Sequence, residues 1–440
     1  MRGDGCNSLI PPLAQSDDPR RQFAVETVRT LRTEGFEALW AGGCVRDQLL
    51  GKTPQDYDVA STATPDDVIR IFGKRRTVAV GASFGVVMVL GPQKSSGQIE
   101  VATFRSEGEY LDGRRPSSVR FCRPEEDAHR RDFTINGMFI DPLDGRLIDY
   151  VGGREDLALG VVRAIGDPVA RFTEDKLRML RAVRFAATLN FELDSATAEA
   201  ARQLRRQLNQ VSAERIAQEL RRMLASPSRD TAFRLLLETG LLPEVLPELF
   251  STDLSSAELS DQTSGLRREL AELHSDRFEP AFALILRSLY ASDQRGKPTL
   301  KIESVCRRLK LANEETECVC WLIQSLPVLN VIAAQPLHVR KPLLNHPHRD
   351  LLLQISTATD LAAGRPATVA EFCRNYLAEL RGDDLCPPPL IDGQDLFALQ
   401  VPQGPAFRDL LTTIRSEQLD EQLTTREAAL ERLRELVEMR

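Results

Sequence analysis

Residues 39–60 read LWAGGCVRDQLLGKTPQDYDVA. Gly42-Gly43 is a turn signal, Arg46-Asp47 follows, and Asp56 and Asp58 stand one residue apart. Tyr57–Ser61 predicts a strand, and side chains at i and i+2 of a strand share a face. Asp56 and Asp58 are thereby placed to hold metal ions jointly. The glycine turn lets backbone N–H groups approach a phosphate. Together they predict metal-dependent chemistry on a nucleoside triphosphate. An Asp-x-Asp pair alone is more often solvated surface charge, so this reading depends on its company.

Three further stretches supply that company. Gln98–Phe104, QIEVATF, sets Glu100 between Ile99 and Val101. A carboxylate inside an apolar run needs a partner or a metal, and three carboxylates on adjacent strands suit two Mg2+ ions. One ion would activate an attacking hydroxyl and the other would clamp the triphosphate. The competing reading of Glu100 is an edge-strand residue facing water. His129–Met138, HRRDFTINGM, joins Arg130 and Arg131 to Asp132 and Asn136. Adjacent arginines neutralise a triphosphate, Asp132 is placed to accept from a ribose hydroxyl, and Asn136 to orient substrate or backbone. Alone, such a cluster is also an ordinary surface ion-pair group.

The third stretch is Arg171–Phe185, RFTEDKLRMLRAVRF. A helix predicted over Glu174–Leu189 gives Asp175, Arg178, Arg181 and Arg184 one polar stripe, opposite Leu180, Val183 and Ala187. The plain reading is an amphipathic helix laced with ion pairs. The sharper one starts from base chemistry. Cytosine and adenine present an exocyclic amine beside an unprotonated ring nitrogen. An Asp accepts from the first and an Arg donates to the second, whereas uracil and guanine present the reverse pattern. Asp175 and Arg178 would form that protein template, with Arg181 and Arg184 toward phosphates.

Bulk composition bounds these readings without deciding them. The chain has 440 residues, 42% hydrophobic and 28% charged, which is ordinary for a globular protein of several domains. From its net charge of −7 a nucleic-acid partner cannot be argued. Only eight of its 57 basic residues are lysine. Arginine suits bidentate phosphate and base contacts, but a GC-rich coding bias gives the same excess. The eight cysteines form no Cys-x-x-Cys pair, and Cys318 and Cys320 are too close for the usual zinc spacing. With no secretory apolar segment and no membrane-length apolar run, a cytoplasmic protein is expected. The five histidines offer no Ser/His/Asp arrangement.

Residues 1–20, broken by Pro11, Pro12 and Pro19, read as a disordered lead-in. A helix is expected over Phe23–Glu34. Mixed elements follow to about Tyr150: strands at Tyr57–Ser61, Thr77–Val80, Phe84–Leu90, Ile99–Phe104, Val119–Phe121 and Met138–Asp141, and helices at Val45–Leu50 and Pro65–Ile71. Beyond about Asp167 strand signals nearly vanish, and helices are expected at Ser195–Asn209, Ala213–Ala225, Ser228–Thr239 and onward, with the Ser/Asp/Thr-rich Ser251–Gly265 as a loop or linker.

Together these blocks resemble the bacterial class II tRNA nucleotidyltransferase/poly(A) polymerase family. GGCVRD with DYD resembles its first motif and RRDFTINGM its second. Asp149-Tyr-Val-Gly152-Gly153-Arg-Glu-Asp156 resembles its head-to-neck connector, and Glu174-Asp175-Lys-Leu-Arg178 its nucleotide-selecting motif. Ala213-Glu214-Arg215-Ile216 with Glu219 resembles its last neck motif. Asp392-Gly393 with Asp395-Leu396, Gly404-Pro405 and Thr425-Arg426-Glu427 resemble the bacterial tail pattern. The middle, about 250–385, matches by helicity alone. His346 and His348 in HPHRD do not complete a phosphohydrolase signature.

The resemblance implies an α/β head of polymerase-β-like nucleotidyltransferase fold with a mixed sheet, then an all-α neck, body and tail. The expected divisions are the head at 21–160, the neck at 161–250 and a tRNA-binding body and tail at 251–440. Asp56 and Asp58 would bind the metal, with Glu100 as the third catalytic carboxylate. Gly42, Gly43, Arg46, Arg131, Asp132, Asn136, Asp175, Arg178, Arg181 and Arg184 would contact the nucleotide. The implied partners are ATP, CTP and the tRNA acceptor end, and the implied reaction adds CCA. The same core serves poly(A) polymerases and A-adding or CC-adding enzymes, and an RNA-binding protein without catalysis is the alternative of another class. VGASFGVVMV, residues 80–89, lacks the Gly-Arg-Arg-Phe-x-x-x-His stretch of bacterial poly(A) polymerases. The 109–116 stretch resembles the flexible loop of CCA-adding enzymes. Nothing in the sequence fixes the oligomeric state.

Overall fold

The computed structural model describes residues 17–81, 85–107, 119–250, 256–291, 299–380 and 382–439. The chain forms two compact units, Met1–Glu219 with Ala232–Pro247, and Leu220–Thr231 with Glu248–Arg440.

The first unit opens with α1, Pro19–Thr33. Most of the expected lead-in, residues 1–16, lies outside the described residues, but its end is helical. Pro19 starts the helix, because its fixed φ suits the first turn, and the Asp18 side chain caps it through the Arg20 N–H. Next come β1 (Ala38–Ala41), α2 (Gly43–Leu49), β2 (Asp58–Ser61), α3 (Pro65–Phe72), β3 (Thr77–Gly81), β4 (Val86–Leu90) and β5 (Gln98–Thr103). Then follow β6 (Arg105–Glu107), β7 (Val119–Phe121), α4 (Pro124–Arg130), β8 (Phe139–Ile140) and β9 (Leu147–Ile148). Thr64 and Asp67 close a reciprocal capping box at α3, with Pro65 at its first position.

Seven strands form one mixed sheet in the order β3-β4-β5-β2-β1-β8-β9. β2 and β5 run parallel, and the other pairs run antiparallel. The interior strand β1 was not expected. All four of its residues are buried, so it carries no polar alternation to read. Register puts Met88, Glu100, Asp58, Ala41 and Phe139 in one row across five strands, and paired residues project to the same face. Leu39, Ala41, Ala60, Phe104, Ala128 and Phe139 form the core on that face. Trp40, on the other face, is fully buried and packs on Tyr57 at 4.9 Å.

After α5 (Gly153–Leu159) and β10 (Val161–Val162) come α6 (Pro168–Glu174) and α7 (Leu177–Leu189); the expected helix Glu174–Leu189 is α7 with a later start, and Glu174 ends α6. Asp175 separates the two. Its backbone is extended, at φ −139° and ψ 105°, and its carboxylate caps the Leu177 N–H at 3.1 Å. Aspartate competes with helical backbone in this way. β11 (Glu192–Leu193) pairs in parallel with β10, and α8 (Ser195–Leu204) and α9 (Ala213–Leu224) follow.

Among its described residues the second unit has helices and no strand. The expected linker is instead largely helix, Ser256–Glu272, which packs on the helix Arg349–Ala362. Residues 251–255 lie outside the described set. Tertiary packing of Leu270, fully buried, overrides the polar composition of the first turns. The tail motifs are helix starts: the Asp392 side chain caps Gly393–Ala398, Gly404 precedes Pro405–Leu419, and Thr425 caps Arg426–Glu438. Arg426 ties two of these helices by donating to Asp395 at 2.6 Å, above a core of Leu396, Leu410, Ile414 and Leu433. Among the described residues no helix is long and apolar enough to cross a membrane.

Candidate functional site

The row Glu100–Asp58–Ala41 places two carboxylates side by side on parallel strands, immediately before the Gly42-Gly43 turn. Both carboxylates are exposed, while their strand neighbours Ile99, Val101 and Val59 are buried. Asp56 lies in the bend before β2, and the alternation continues through it: Asp56 exposed, Tyr57 buried, Asp58 exposed. The structure corrects the expectation for Glu100 twice. It is not within an apolar environment, because the alternation of β5 turns it to the open face. It is not on an edge strand, because β5 lies between β4 and β2.

Loss of surrounding water, then the charge of Glu100, and further that of Asp56, push the Asp58 carboxyl up to about 6, against the pull of Arg131. Like charges are thus held together with incomplete neutralisation, which is the electrostatic signature of a place for a cation. Among the described residues no three His, Cys, Asp or Glu side chains enclose a metal on their own.

Arg131 reaches this face from the end of α4. Its guanidinium lies over the Phe139 ring at 5.1 Å, at the end of the same row. Gly42 has φ +74°, and a Cβ there would stand 3.1 Å from the Arg131 Nη1. The positive φ favours glycine, and a Cβ would also press on the Arg131 guanidinium. Asp127, fully buried, accepts from Arg131 at 3.0 Å and from Arg130 at 2.8 Å. Burial pushes the Asp127 carboxyl up, but the two arginines outweigh it and hold it below its ordinary value.

Behind the acidic face stands a lattice of ion pairs. Arg46 donates to Asp47 at 2.7 Å and to the Asn136 side-chain oxygen at 2.7 Å. Asn136 donates in turn to Asp132 at 3.2 Å. Asp132 also accepts from its neighbour Phe133 N–H at 2.9 Å and from Arg181 twice, at 2.8 and 2.6 Å. Burial raises the Asp132 carboxyl, but Arg181 dominates and the pKa falls to about 2. Glu219, buried on α9, accepts from Arg184 at 2.5 Å and lies 4.0 Å from Arg181.

Asp175 and Arg178 are held separately. Arg215 donates to both Asp175 oxygens, at 3.1 and 2.7 Å. Arg178 donates to Glu174 at 2.7 Å and to the carbonyls of Arg171 and Arg130, each at 3.1 Å. Asp175 and Arg178 therefore flank a helix start rather than sharing one helix face.

The Asp149–Asp156 connector supports this lattice from below. Asp149 accepts from the N–H groups of Val151, Gly153 and Arg154. Gly153 packs so closely on the 134–136 turn that a Cβ would collide with the Thr134 carbonyl. Thr134 donates to the buried Asp156 at 2.6 Å. The turn bearing Asn136 is thereby fixed.

Two important side chains were missed in the sequence. Asp127 sits three and four residues before the arginines it clamps, a spacing that marks helical ion pairs. Phe185 is 7% exposed and carries three guanidiniums around one ring, Arg46 at 5.2 Å, Arg181 at 5.3 Å and Arg184 at 4.0 Å. Its position beside Arg184 and one turn after Arg181 was a usable signal, but Arg46 comes from a distant helix. The 109–116 stretch lies outside the described residues.

Residues 38–163 match the family described as Poly A polymerase head domain, and residues 190–252 that described as Probable RNA and SrmB- binding site of polymerase A. A CCA-adding enzyme of Enterococcus faecalis is 38% identical over 307 residues, 69% of this chain and 70% of that protein. The chain belongs to the CCA-adding enzyme family. A second CCA-adding enzyme, of Geobacillus sp., is 43% identical over 221 residues. That match spans half of this chain and 53% of the Geobacillus protein. The crystal structure of the Bacillus stearothermophilus CCA-adding enzyme in complex with CTP has a TM-score of 0.75 at 28% identity, covering 97% of this chain and 100% of that one. The mixed-sheet nucleotidyltransferase head followed by helices is thus the fold of CCA-adding enzymes.

Proposed function

We propose that this chain adds C, C and A to tRNA 3′ ends, taking CMP twice from CTP and AMP once from ATP and releasing pyrophosphate. The observation that carries the reading is the open, in-register pair Asp58 and Glu100, with Asp56 adjoining, beside an ordered arginine lattice. Divalent ions, Mg2+ in our reading, bound at Asp56 and Asp58 would acidify the attacking 3′-hydroxyl and neutralise the triphosphate. Gly42 and Gly43 leave the backbone open for phosphate oxygens. Arg46 and Arg131 add positive charge on either side of that turn. The 3′-hydroxyl attacks the α-phosphorus, a P–O bond forms, and the bond to pyrophosphate breaks. No covalent enzyme intermediate is needed, because positioning and charge neutralisation supply the rate.

Base choice falls to Asp175 and Arg178. A carboxylate has about four acceptor sites, so Asp175 can accept from an amine while Arg215 holds it. Arg178 has donors beyond its three contacts for a ring nitrogen. Asp132, Asn136, Arg181 and Arg184 act mainly by fixing one another beneath the nucleotide. The helical unit would hold the tRNA through phosphates and shape. The seven described cysteines are all free, which suits the reducing cytoplasm.

The test is incubation of purified protein with tRNA transcripts ending before the first C, before the second C, or before the A, with CTP and ATP supplied separately. Ordered addition of C, C and A supports the reading. A-addition only, CC-addition only, or an extended A tail would each replace it with the corresponding activity. No incorporation would leave an RNA-binding protein without catalysis.

A further inference from the structure

The HPHRD segment plays no part in the site above, yet it builds an unusual surface. Trp321, on the helix Asn313–Leu329, lies flat against His346, with centroids 3.8 Å apart and planes at 8°. His348 sits edge-on to Trp321 at 6.2 Å and tilted against His346 at 5.2 Å. The Nδ1 of His346 accepts from the His348 backbone N–H at 3.2 Å, which fixes the ring. Burial, with His348 nearby, lowers the His346 pKa, so the imidazole stacks as a neutral ring.

His346 is also one wall of a cavity of about 380 Å³. Pro342, Pro347 and Leu419 supply apolar lining, and Asn345 and Arg415 the polar rim. Arg415 donates to Gln418 at 2.8 Å and contacts the Cys386 sulfur at 3.7 Å. A guanidinium has five N–H donors, so these contacts leave others for an anion. Among the described residues no carboxylate lines the cavity, although the chain carries a net charge of −7.

We propose that this cavity docks one unstacked base of a bound RNA, flat on His346, with a flanking phosphate on Arg415. The proposal rests on the RNA-directed reading above and adds a subsite remote in sequence from the nucleotide-selecting residues. The cavity is of ligand size. A stacked ring platform recognises the π-face common to all bases, and a carboxylate-free rim bearing one guanidinium matches a phosphodiester. An apolar peptide side chain would use the apolar lining but neither the stack nor the guanidinium.

The test measures binding of a 3′-truncated tRNA transcript to the full chain, without nucleotides, across a salt series. His346→Ala is expected to weaken binding about tenfold, as loss of one stacked base does. His346→Tyr, which keeps a flat ring, is expected to restore it. Arg415→Gln is expected to lower the salt slope by about one charge, whereas His346→Ala leaves the slope unchanged. Wild-type affinity in both His346→Ala and Arg415→Gln overturns the subsite and leaves the RNA-directed reading standing. The same holds for a loss in His346→Ala that His346→Tyr does not restore. Failure of the wild-type chain to bind the transcript overturns both.

Discussion

The acidic face of the sheet and the arginine lattice behind it are built on opposite electrostatic plans. On the sheet, Asp58 and Glu100 stand in neighbouring register positions, and loss of water around Asp58, with the charge of Glu100 added, raises its carboxyl to about 6. In the lattice, Asp132 has four donors within 3.2 Å and its pKa falls to about 2. The first arrangement leaves like charges unbalanced, and that is where we propose a cation binds. The second is complete within the protein and holds its members in place. Chemistry is concentrated where charge is unbalanced, and precision where it is balanced.

The strongest way to break this contrast is to remove the incomplete side. Asp56→Ala or Asp58→Ala should lower nucleotide incorporation by about a thousandfold or more, given the several kcal/mol that metal charge contributes. Their thermal melting should stay near wild type. Activity retained in both variants would sink the metal assignment.

Stability should respond with opposite sign on the two sides. Asp132→Asn takes from Arg181 its hydrogen-bonded carboxylate, leaving Glu219 4.0 Å away, and should cost about 2–3 kcal/mol, read from the urea midpoint. Asp58→Asn removes a charge that the fold disfavours, so its midpoint should not fall. Equal losses in the two variants would erase the distinction.

The acid limb of stability sharpens it further. Asp132 has a folded pKa of about 2, below its ordinary value of 3.8. Its stabilisation is therefore fully present above the unfolded value and is lost as pH falls through about 2. The amount is on the order of 2 kcal/mol. Asp132→Asn should flatten that part of the stability profile, measured by denaturant midpoints between pH 5 and pH 2 (about the range set by the two values). An unchanged profile would place the acid sensitivity elsewhere.

Outside the lattice, the proposed selecting pair Asp175 and Arg178 should affect choice more than rate. Asp175→Ala should reduce discrimination against UTP and GTP by about tenfold or more, the scale of a good bidentate base contact. Selectivity identical to wild type would remove the template role. The smallest effect is expected at Phe185. Phe185→Leu keeps apolar volume but loses the ring face shared by Arg46, Arg181 and Arg184. It should raise the KM for CTP and ATP a few-fold, about the worth of one or two cation–π contacts, with little change in melting temperature. A wild-type KM would make the ring mere packing.

The same two regions divide what was legible in the sequence from what was not. Asp56, Asp58 and the glycine turn were readable because their spacing is local and the strand period is fixed. The β1 strand beside them was not, because a fully buried strand has no polar alternation. Asp175 was readable as a residue but not in its conformation. A polar stripe predicts one helix, whereas the aspartate carboxylate competes for backbone N–H groups and breaks it. The polar stretch after residue 255 looked like a linker because composition carries no record of the helix it packs against.

The sequence alone determined the residue types, their order along the chain and the chemistry those types permit: carboxylates for cations, arginines for phosphates, an Asp–Arg pair for an amine beside a ring nitrogen. Tertiary structure alone decided which charges would be answered. It set Glu100 beside Asp58 through β2–β5 register, gave Asp132 to Arg181 across 49 positions, and gave Asp175 to Arg215 across 40. Local spacing follows from backbone geometry, which every chain shares. Charge partnership follows from Coulomb attraction over a few ångströms, and only the folded chain brings those groups within that distance.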